Sequence, residues 1–291
     1  MVTAPAKVNL YLVVGATRPD GYHDVETMLQ AISLADRVVI EPAEELSLHV
    51  SADLGIPAEE NLAYRAASQL LQEAGVQGGA RITLHKSIPT GAGLGGGSSD
   101  AAATLVGLAD LLGIGEDVVL EDLAADLGAD VPFFLHGGAA HFSGRGDKLR
   151  HRTPAPDLMF ALVKPPVEVS TTEAYRSFDL LDHAIVPSVD KMIHAVSAND
   201  THAIAAALHN NMTDASIGLE PQVGEAITLC ETIEGVVGTA MAGSGSSVFC
   251  IVENEAVATE VTKSARARGW WAEVAYAIDH GVRAHAAEEA M

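Results

Sequence analysis

The chain has 291 residues, enough for one large or two modest domains with a sizeable buried core. Hydrophobic residues make up 48% and charged residues 19%, a composition typical of a globular protein and not of a disordered one. A net charge of −22 argues against nucleic acid or an anionic membrane as a partner, because no stretch concentrates Lys and Arg enough to offset it.

The sequence predicts neither a targeting segment nor a membrane span. No signal peptide opens it and no run of roughly 18 apolar residues crosses it, so we expect a soluble protein with no membrane partner. The two cysteines, Cys230 and Cys250, match no zinc-binding pattern. A reduced, cytoplasmic setting is therefore expected.

The N-terminal third is predicted to consist mainly of strands. From Ala6 to Val14 the residues alternate, which places Ala6, Val8, Leu10, Leu12 and Val14 on one face. Lys7, Asn9 and Tyr11 share the other face of this half-buried strand. A turn over residues 18–21 precedes Tyr22 and His23, and residues 24–52 are predicted to form further strands.

Helices and strands then alternate. A helix is predicted from Asn61 to Gly75, a strand over 80–86, and an almost wholly apolar, buried helix over about 98–112. Another helix is expected over 116–127. Residues 130–135 then lead into a glycine-rich strand region that reaches Gly146.

The proline-rich residues 152–156 predict a boundary between domains of residues 1–152 and 153–291. The second half is predicted to contain helices near 173–182, 188–196, 200–212, 222–233 and 254–268, and strands at 158–163, 236–240, 248–252 and after 271. This order indicates an α+β protein of two domains with a cleft between them.

The most informative segment, residues 89–100, reads Pro-Thr-Gly-Ala-Gly-Leu-Gly-Gly-Gly-Ser-Ser-Asp. Glycines allow backbone N–H groups to press against an anion, and the positive end of the following helix adds its own attraction. The segment is therefore predicted to bind phosphate. A flexible glycine linker is the alternative, although linkers rarely lie between a strand and a helix.

Familiar phosphate-binding motifs fit this loop incompletely. A Walker A loop would have lysine where this chain has Gly97. A dinucleotide-binding fold would continue with a second parallel strand, whereas a second helical pattern follows here. The strand lysine and catalytic-loop motifs of protein kinases do not occur in the sequence.

Four N-terminal motifs and one C-terminal motif together resemble the GHMP kinase superfamily. They are Pro5-Ala-Lys-Val-Asn-Leu10, Arg18-Pro-Asp-Gly-Tyr-His23, Gly93-Leu-Gly-Gly-Gly-Ser-Ser-Asp100, Gly128-Ala-Asp-Val-Pro-Phe-Phe134 and, more loosely, Ala242-Gly-Ser-Gly-Ser-Ser247. The resemblance implies the two-domain α+β GHMP kinase fold with its active site in the interdomain cleft. It also implies phosphoryl transfer from ATP, with Mg²⁺, to a hydroxyl of a small molecule that carries cytidine diphosphate. We expect a monomer or weak homodimer.

The resemblance also suggests roles for individual residues. Lys7 and Asp130 are the catalytic candidates, since phosphoryl transfer needs charge stabilisation and help in removing the acceptor's proton. The predicted ATP-binding residues are Pro89, Thr90, Gly91, Ala92, Gly93, Leu94, Gly95, Gly96, Gly97, Ser98 and Ser99. The predicted substrate-binding residues are Asn9, Tyr22, His23, Thr171 and Tyr175, of which Tyr22 and His23 look like a cytosine-binding pair.

Several alternatives stay open at this stage. Asp130 could cap a backbone N–H in a turn, Lys7 could be a surface lysine, and Tyr22 and His23 could be a structural turn pair. The Mg²⁺ ligands are unassigned, although Ser98 or Ser99 could contact the metal or the β-phosphate. The chain could also be another GHMP member, such as a homoserine or mevalonate kinase, or a non-catalytic nucleotide-binding module.

Overall fold

Two β-sheets with helices packed against them form the structure, a computed structural model that describes residues 1–52, 55–114, 118–181 and 187–285. The described strands are β1 (Val2–Thr17), β2 (His23–Ala43), β3 (Ser47–Val50), β4 (Gly79–His85), β5 (Ala139–Ser143), β6 (Lys148–Thr153), β7 (Met159–Lys164), β8 (His209–Asn210), β9 (Val236–Met241), β10 (Val248–Val252), β11 (Trp271–Tyr276) and β12 (Arg283–Ala284).

Helices occupy most of the remaining described chain. They are α1 (Leu62–Glu73), α2 (Gly96–Leu112), α3 (Leu120–Leu127), α4 (Val131–His136), α5 (Thr171–Phe178), α6 (Asp190–Ser197), α7 (Thr201–Ala207), α8 (Thr213–Leu219), α9 (Gln222–Glu231) and α10 (Glu255–Ala267). None of the helices in these described ranges combines the length and hydropathy needed to cross a bilayer.

The first sheet is built around β1 and β2, which pair antiparallel along most of their length. Its order is β12-β1-β2-β4-β3, with β5 paired to the first part of β2, β6 paired to β5, and β8 parallel to β1. The second sheet has the order β11-β7-β10-β9, and each of its neighbouring strands pairs antiparallel. This arrangement confirms the predicted α+β class.

Three apolar clusters make up the core. One packs α1, α2, α3 and α4 against the first sheet, and another packs α9 and α10 against the second sheet. The central cluster joins the two sheets, since Val8 and Leu10 of β1 share it with Phe160 of β7 and Phe249 of β10. Burial of apolar surface in this shared cluster holds the two halves of the chain together.

The alternation predicted for β1 is correct only up to Asn9. A β-bulge places Leu10 without a partner, because Asn9 pairs with Leu29 and Tyr11 pairs with Met28. The extra residue moves Leu12 and Val14 to the face that carries Lys7 and Asn9, whereas Tyr11 joins Val8 in the central cluster. The strand is also buried on both faces, not half-buried as predicted.

Helix α4 was missed by the sequence prediction. Its six residues are too few for an apolar period to be recognised, although Pro132 in its first turn is a position that favours proline. The helix predicted over 116–127 begins at Leu120, and residues 115–117 lie outside the described residues.

The helix predicted over 200–212 ends at Ala207. Strand β8 follows, and α8 begins at Thr213, a second helix absent from the prediction. Long-range bonds cause the break, because the Asn211 side chain accepts from the Val14 N–H and donates to the Val14 carbonyl, both at 2.9 Å. The helix predicted over 173–182 spans Thr171–Phe178, and residue 182 lies outside the described residues.

Candidate active site

The glycine loop connects β4 to α2 and leaves the helix end open to a ligand. Gly95, the residue before α2, has φ of 74° and supplies no side chain to cap the first N–H groups. The first turn of this 17-residue helix therefore presents unpaired donors together with the positive end of the helix dipole.

A cavity of about 350 Å³ lies against this loop. Its walls include Pro89 through Ser98, which are ten of the eleven predicted ATP-binding residues, together with Asn61, Leu62, Lys86 and Asp100. Ser99 is fully buried instead, and no described group hydrogen-bonds to its hydroxyl. We refer to this space as the nucleotide cavity, after the ATP predicted to bind there.

A second cavity, of about 380 Å³, lies on the other side of the same loop. Gly93, Gly95 and Ser98 line both cavities, so the loop forms the wall between them. We call the second cavity the acceptor cavity, after the substrate predicted to bind there. Both halves of the chain line it: Lys7, Asn9 and Asp130 come from the first half, and Thr171, Tyr175, Met212, Gly243 and Ser244 from the second.

Lys7 and Asp130 meet in the acceptor cavity. The Lys7 ammonium lies 3.3 Å from Asp130 Oδ2 and donates a 2.8 Å hydrogen bond to Asn9 Oδ1. Only 3% of Lys7 is exposed, so it is not a surface lysine. The Asp130 carboxylate makes no capping hydrogen bond at the start of α4, and it is 35% exposed. It is therefore both paired with a cation and open to a ligand.

Backbone contacts fix Lys7 beside the loop. The Lys7 N–H donates to the Leu94 carbonyl at 3.0 Å, which joins β1 to the glycine loop. A Cβ atom at Gly95 would lie 2.7 Å from Phe134 Cζ and 3.0 Å from Lys7 Cγ. Only glycine therefore allows the loop, α4 and the lysine stem to approach this closely.

A second glycine-rich loop, residues 242–247 between β9 and β10, packs against the first glycine loop. A Cβ at Gly93 would lie 2.0 Å from the Ala242 carbonyl oxygen, so the two loops touch through their backbones. The Gly243 N–H donates to Asn9 Oδ1 at 3.0 Å. Asn9 therefore orients the Lys7 ammonium and anchors the second loop at the same time.

Of the predicted substrate-binding residues, Tyr175 and Thr171 line the acceptor cavity, whereas Tyr22 and His23 do not. The His23 and Tyr175 rings lie 4.9 Å apart, and His23 Nε2 lies 2.7 Å from Asp179 Oδ1. Burial, with a smaller effect of the Asp130 charge, raises the pKa of Tyr175 to about 12. Thr171 lines the same cavity and its hydroxyl lies 2.9 Å from Ser244 Oγ. Tyr22 and His23 are not among the residues that line this cavity, and Tyr22 is 56% exposed.

An ion-pair cluster beneath the nucleotide cavity was missed by the sequence prediction. The Lys86 ammonium contacts both Asp36 and Asp100, and Asp36 also accepts from the N–H of Ile88 at 2.9 Å. Burial and the nearby Asp36 outweigh the effect of Lys86 and raise the pKa of Asp100 to about 7. The cluster ties β2 and α2 to the entry of the loop, and Lys86, three residues before Pro89, was the one visible signal.

The two loops, the two cavities and the paired lysine and aspartate fit the small-molecule kinase that the motifs predict. The chain belongs to the GHMP kinase family, since it matches the GHMP kinase N-terminal domain over residues 61–138 and the C-terminal domain over 192–269. It is thus an ATP-dependent small-molecule kinase of this family, as the motif resemblance implied.

Within the family the chain is similar to 4-diphosphocytidyl-2-C-methyl-D-erythritol kinases. The protein of this name from Pelotomaculum thermopropionicum is 46% identical over 84% of this chain and 86% of its own length. A crystal structure of 4-(cytidine 5′-diphospho)-2C-methyl-D-erythritol kinase superposes with a TM-score of 0.80 at 38% identity, covering 96% of this chain and all of the other.

A more distant kinase shares the fold alone. Homoserine kinase from Cytophaga hutchinsonii superposes with a TM-score of 0.75 at 22% identity, covering 97% of this chain and 96% of the other. The chain is thus more similar in sequence to the kinase named for a cytidyl substrate, at 38% identity, than to this homoserine kinase, at 22%.

Proposed function

We propose that the chain transfers the γ-phosphoryl group of ATP to the 2-hydroxyl of 4-diphosphocytidyl-2-C-methyl-D-erythritol, giving the 2-phosphate, in the non-mevalonate route to isoprenoid precursors. The relatives' names supply the substrate. The observation that carries the proposal is the glycine loop, which separates a nucleotide cavity from an acceptor cavity holding Lys7 and Asp130.

Asp130 and Lys7 act on the acceptor hydroxyl. Asp130 accepts the hydroxyl proton as the oxygen bonds to the γ-phosphorus, and the bond between that phosphorus and the bridging oxygen breaks to release ADP. Lys7 holds the carboxylate in place and stabilises charge on the transferring group. The 3.3 Å separation of the two groups supports this division of roles.

On the nucleotide side, residues 89–99 bind the phosphates through backbone N–H groups and the start of α2. Ser98 lines both cavities, and its hydroxyl would suit contact with a Mg²⁺ ion carried by the nucleotide. When bound, Mg²⁺ neutralises charge on the β- and γ-phosphates.

On the acceptor side, Asn9 and Thr171 contact the substrate, while Tyr22, His23 and Tyr175 bind the cytosine. Tyr22 and His23 do not line the acceptor cavity, but each contacts a residue that does. The Arg145 guanidinium carbon lies 5.1 Å from the centre of the Tyr22 ring, and the His23 ring lies 4.9 Å from that of Tyr175. These contacts support the assignment. Residues 1–152 and 153–291 are the proposed domains. We further propose a monomer or weak homodimer that acts in the cytoplasm, in keeping with two buried free cysteines.

ADP release measured with four acceptors tests the proposed function. The cytidyl substrate is expected to support turnover, whereas homoserine, mevalonate and galactose are not. Turnover with one of the other acceptors alone would assign the chain to another kinase of the family. Release of no ADP with any acceptor would favour a nucleotide-binding module without catalytic activity.

A further inference from the structure

The acceptor cavity must hold an anionic substrate although the protein itself is strongly acidic. The protein carries a net charge of −22, yet the proposed substrate brings a diphosphate with at least two negative charges into this cavity. Among the residues that line the cavity, Lys7 and Arg145 are the cations. Both cations are paired with a carboxylate, Lys7 with Asp130 and Arg145 with Asp147. Asp130 lines the cavity and Asp147 does not, so Arg145 is the cation whose partner stays away from the diphosphate.

Arg145 lies in the hairpin between β5 and β6, where Asp147 orients its side chain. Asp147 Oδ2 accepts from Arg145 Nε at 3.2 Å and from Nη2 at 3.1 Å, and Asp147 Oδ1 accepts from the Arg145 N–H at 3.0 Å. Although burial favours the protonated acid, these hydrogen bonds lower the pKa of Asp147. The carboxylate therefore remains charged and holds one edge of the guanidinium.

The Arg145 guanidinium keeps a nitrogen, Nη1, that can donate hydrogen bonds to a ligand. No described residue accepts a hydrogen bond from its Nη1, and Asp147 is not among the residues lining the cavity. The guanidinium carbon lies 5.1 Å from the centre of the Tyr22 ring, a second contact that fixes its orientation. A guanidinium held in this way is preorganised to donate hydrogen bonds to phosphate oxygens.

We propose that Arg145 binds the diphosphate of the acceptor substrate and makes the cavity selective for a cytidine diphosphate over an uncharged cytidine. This inference rests on the proposed function for its ligand. It also gives Tyr22 a second role, since the ring that neighbours the cytosine supports the guanidinium that binds the adjoining phosphates.

Binding of cytidine 5′-diphosphate and of cytidine, measured by calorimetry, tests the proposal without catalysis. Arg145→Gln is expected to weaken binding of the diphosphate about 10-fold or more, while binding of cytidine changes less than about 2-fold. Arg150→Gln removes the same charge from an exposed position on the same hairpin and is the matched control. It is expected to bind both ligands as the wild-type chain does.

Two binding results would overturn the inference. One is a wild-type chain that binds the diphosphate no better than cytidine, and the other is an Arg145→Gln variant that loses affinity for both ligands equally. In kinetics, Arg145→Gln is expected to raise KM for the cytidyl substrate with kcat and KM for ATP unchanged, and Arg145→Lys to recover part of the loss.

The same experiments separate this inference from the proposed function. Arg145-dependent binding of the diphosphate without turnover of the cytidyl substrate would refute the function and support the inference. Turnover of that substrate with the same KM in Arg145→Gln would refute the inference and leave the function standing.

Discussion

Lys7 carries a charge in a place that is almost closed to water. Only 3% of the residue is exposed, and its compensation comes from Asp130 at 3.3 Å and Asn9 at 2.8 Å. A buried charge that loses its partner is strongly destabilising. Substitutions at Asp130 must therefore keep a polar group of the same shape, which makes asparagine a better test than alanine.

At the residue scale, Tyr22→Ala tests the cytosine assignment. The variant is expected to raise KM for the cytidyl substrate by about 10-fold, because a base stacked on an aromatic ring gains roughly 1–3 kcal/mol. Affinity for ATP should change little, since Tyr22 lies outside the nucleotide cavity. Steady-state kinetics with each substrate varied in turn provide the measurement.

Tyr276→Ala is the matched control for this variant. Tyr276 is also exposed, at 43%, but it lines a different cavity together with Met159 and Asn199. An equal rise in KM for ATP in Tyr22→Ala would show that the cytosine had been assigned to the wrong side of the glycine loop.

Residue placement could be predicted where it depends on local periodicity and not where it depends on distant contacts. The two-residue period correctly brought Lys7 beside Asn9. The contact of Lys86 with Asp36, 50 positions away, leaves no local pattern. The same holds for Arg145. It lies in the β5–β6 hairpin, whereas Tyr22 lies in the turn between β1 and β2, so no local pattern predicts their contact.

At the scale of elements, the site depends on the approach of two loops. Gly93→Ala would place a Cβ 2.0 Å from the Ala242 carbonyl oxygen at a residue with φ of 73°. The wall between the cavities must then shift, and a displacement of about 1 Å in a catalytic site can cost about 100-fold in rate. We expect a loss of kcat/KM of that order, measured in the ADP-release assay.

Gly113→Ala separates backbone strain from the contact between loops. Gly113 has a similar φ of 61°, but a Cβ there would meet nothing within 4 Å. It should lower the free energy of unfolding by about 1 kcal/mol and leave kcat/KM near the wild-type value. Equal losses of activity in the two variants would contradict the role given to the loop contact.

Asp100 in helix α2 should make the free energy of unfolding depend on pH. The pKa of Asp100 is about 7, above the ordinary 3.8, so the folded state binds this proton more tightly than the unfolded state. The contribution of this group to stability is therefore greatest below about pH 4 and is lost as the pH rises through 7. Asp100→Asn should gain stability relative to wild type between pH 5 and pH 8, measured by urea unfolding.

Asp110→Asn, which changes an exposed carboxylate on the same helix, is the control for this pH dependence. Its difference from wild type should stay nearly constant over the same pH range. A difference for Asp100→Asn that is equally constant would mean that Asp100 does not titrate there.

Long apolar elements were predictable, and short or interrupted ones were not. Helix α2, with nine buried residues, follows from composition alone because an apolar helix must be buried. Helix α4 has six residues, and α8 begins only after Asn211 bonds to β1. In both cases tertiary contacts decide what a local pattern cannot.

At the scale of the whole molecule, the cluster between the sheets predicts that both halves unfold together. Both tryptophans, Trp270 and Trp271, lie in the second half, so their fluorescence reports on that half, whereas far-UV circular dichroism reports on the whole chain. The two probes should give the same urea midpoint. Separate midpoints would show that the halves unfold independently.

Phe249→Ala sharpens this test. Phe249 is fully buried in the shared cluster, and its truncation should cost about 3–5 kcal/mol. Both probes should shift to lower urea by the same amount. A shift confined to tryptophan fluorescence would contradict the coupling of the two halves.

In the proposed mechanism, Lys7 and Asp130 activate the acceptor hydroxyl for attack on the γ-phosphate of ATP. The most direct test is the single-turnover rate of phosphoryl transfer in Asp130→Asn, with ATP and the cytidyl substrate saturating. We predict a rate about 100-fold or more below wild type, with both ligands still bound. Asp126→Asn, an exposed carboxylate on α3, should react at the wild-type rate. A folded Asp130→Asn protein that transfers phosphate as fast as wild type would contradict the account.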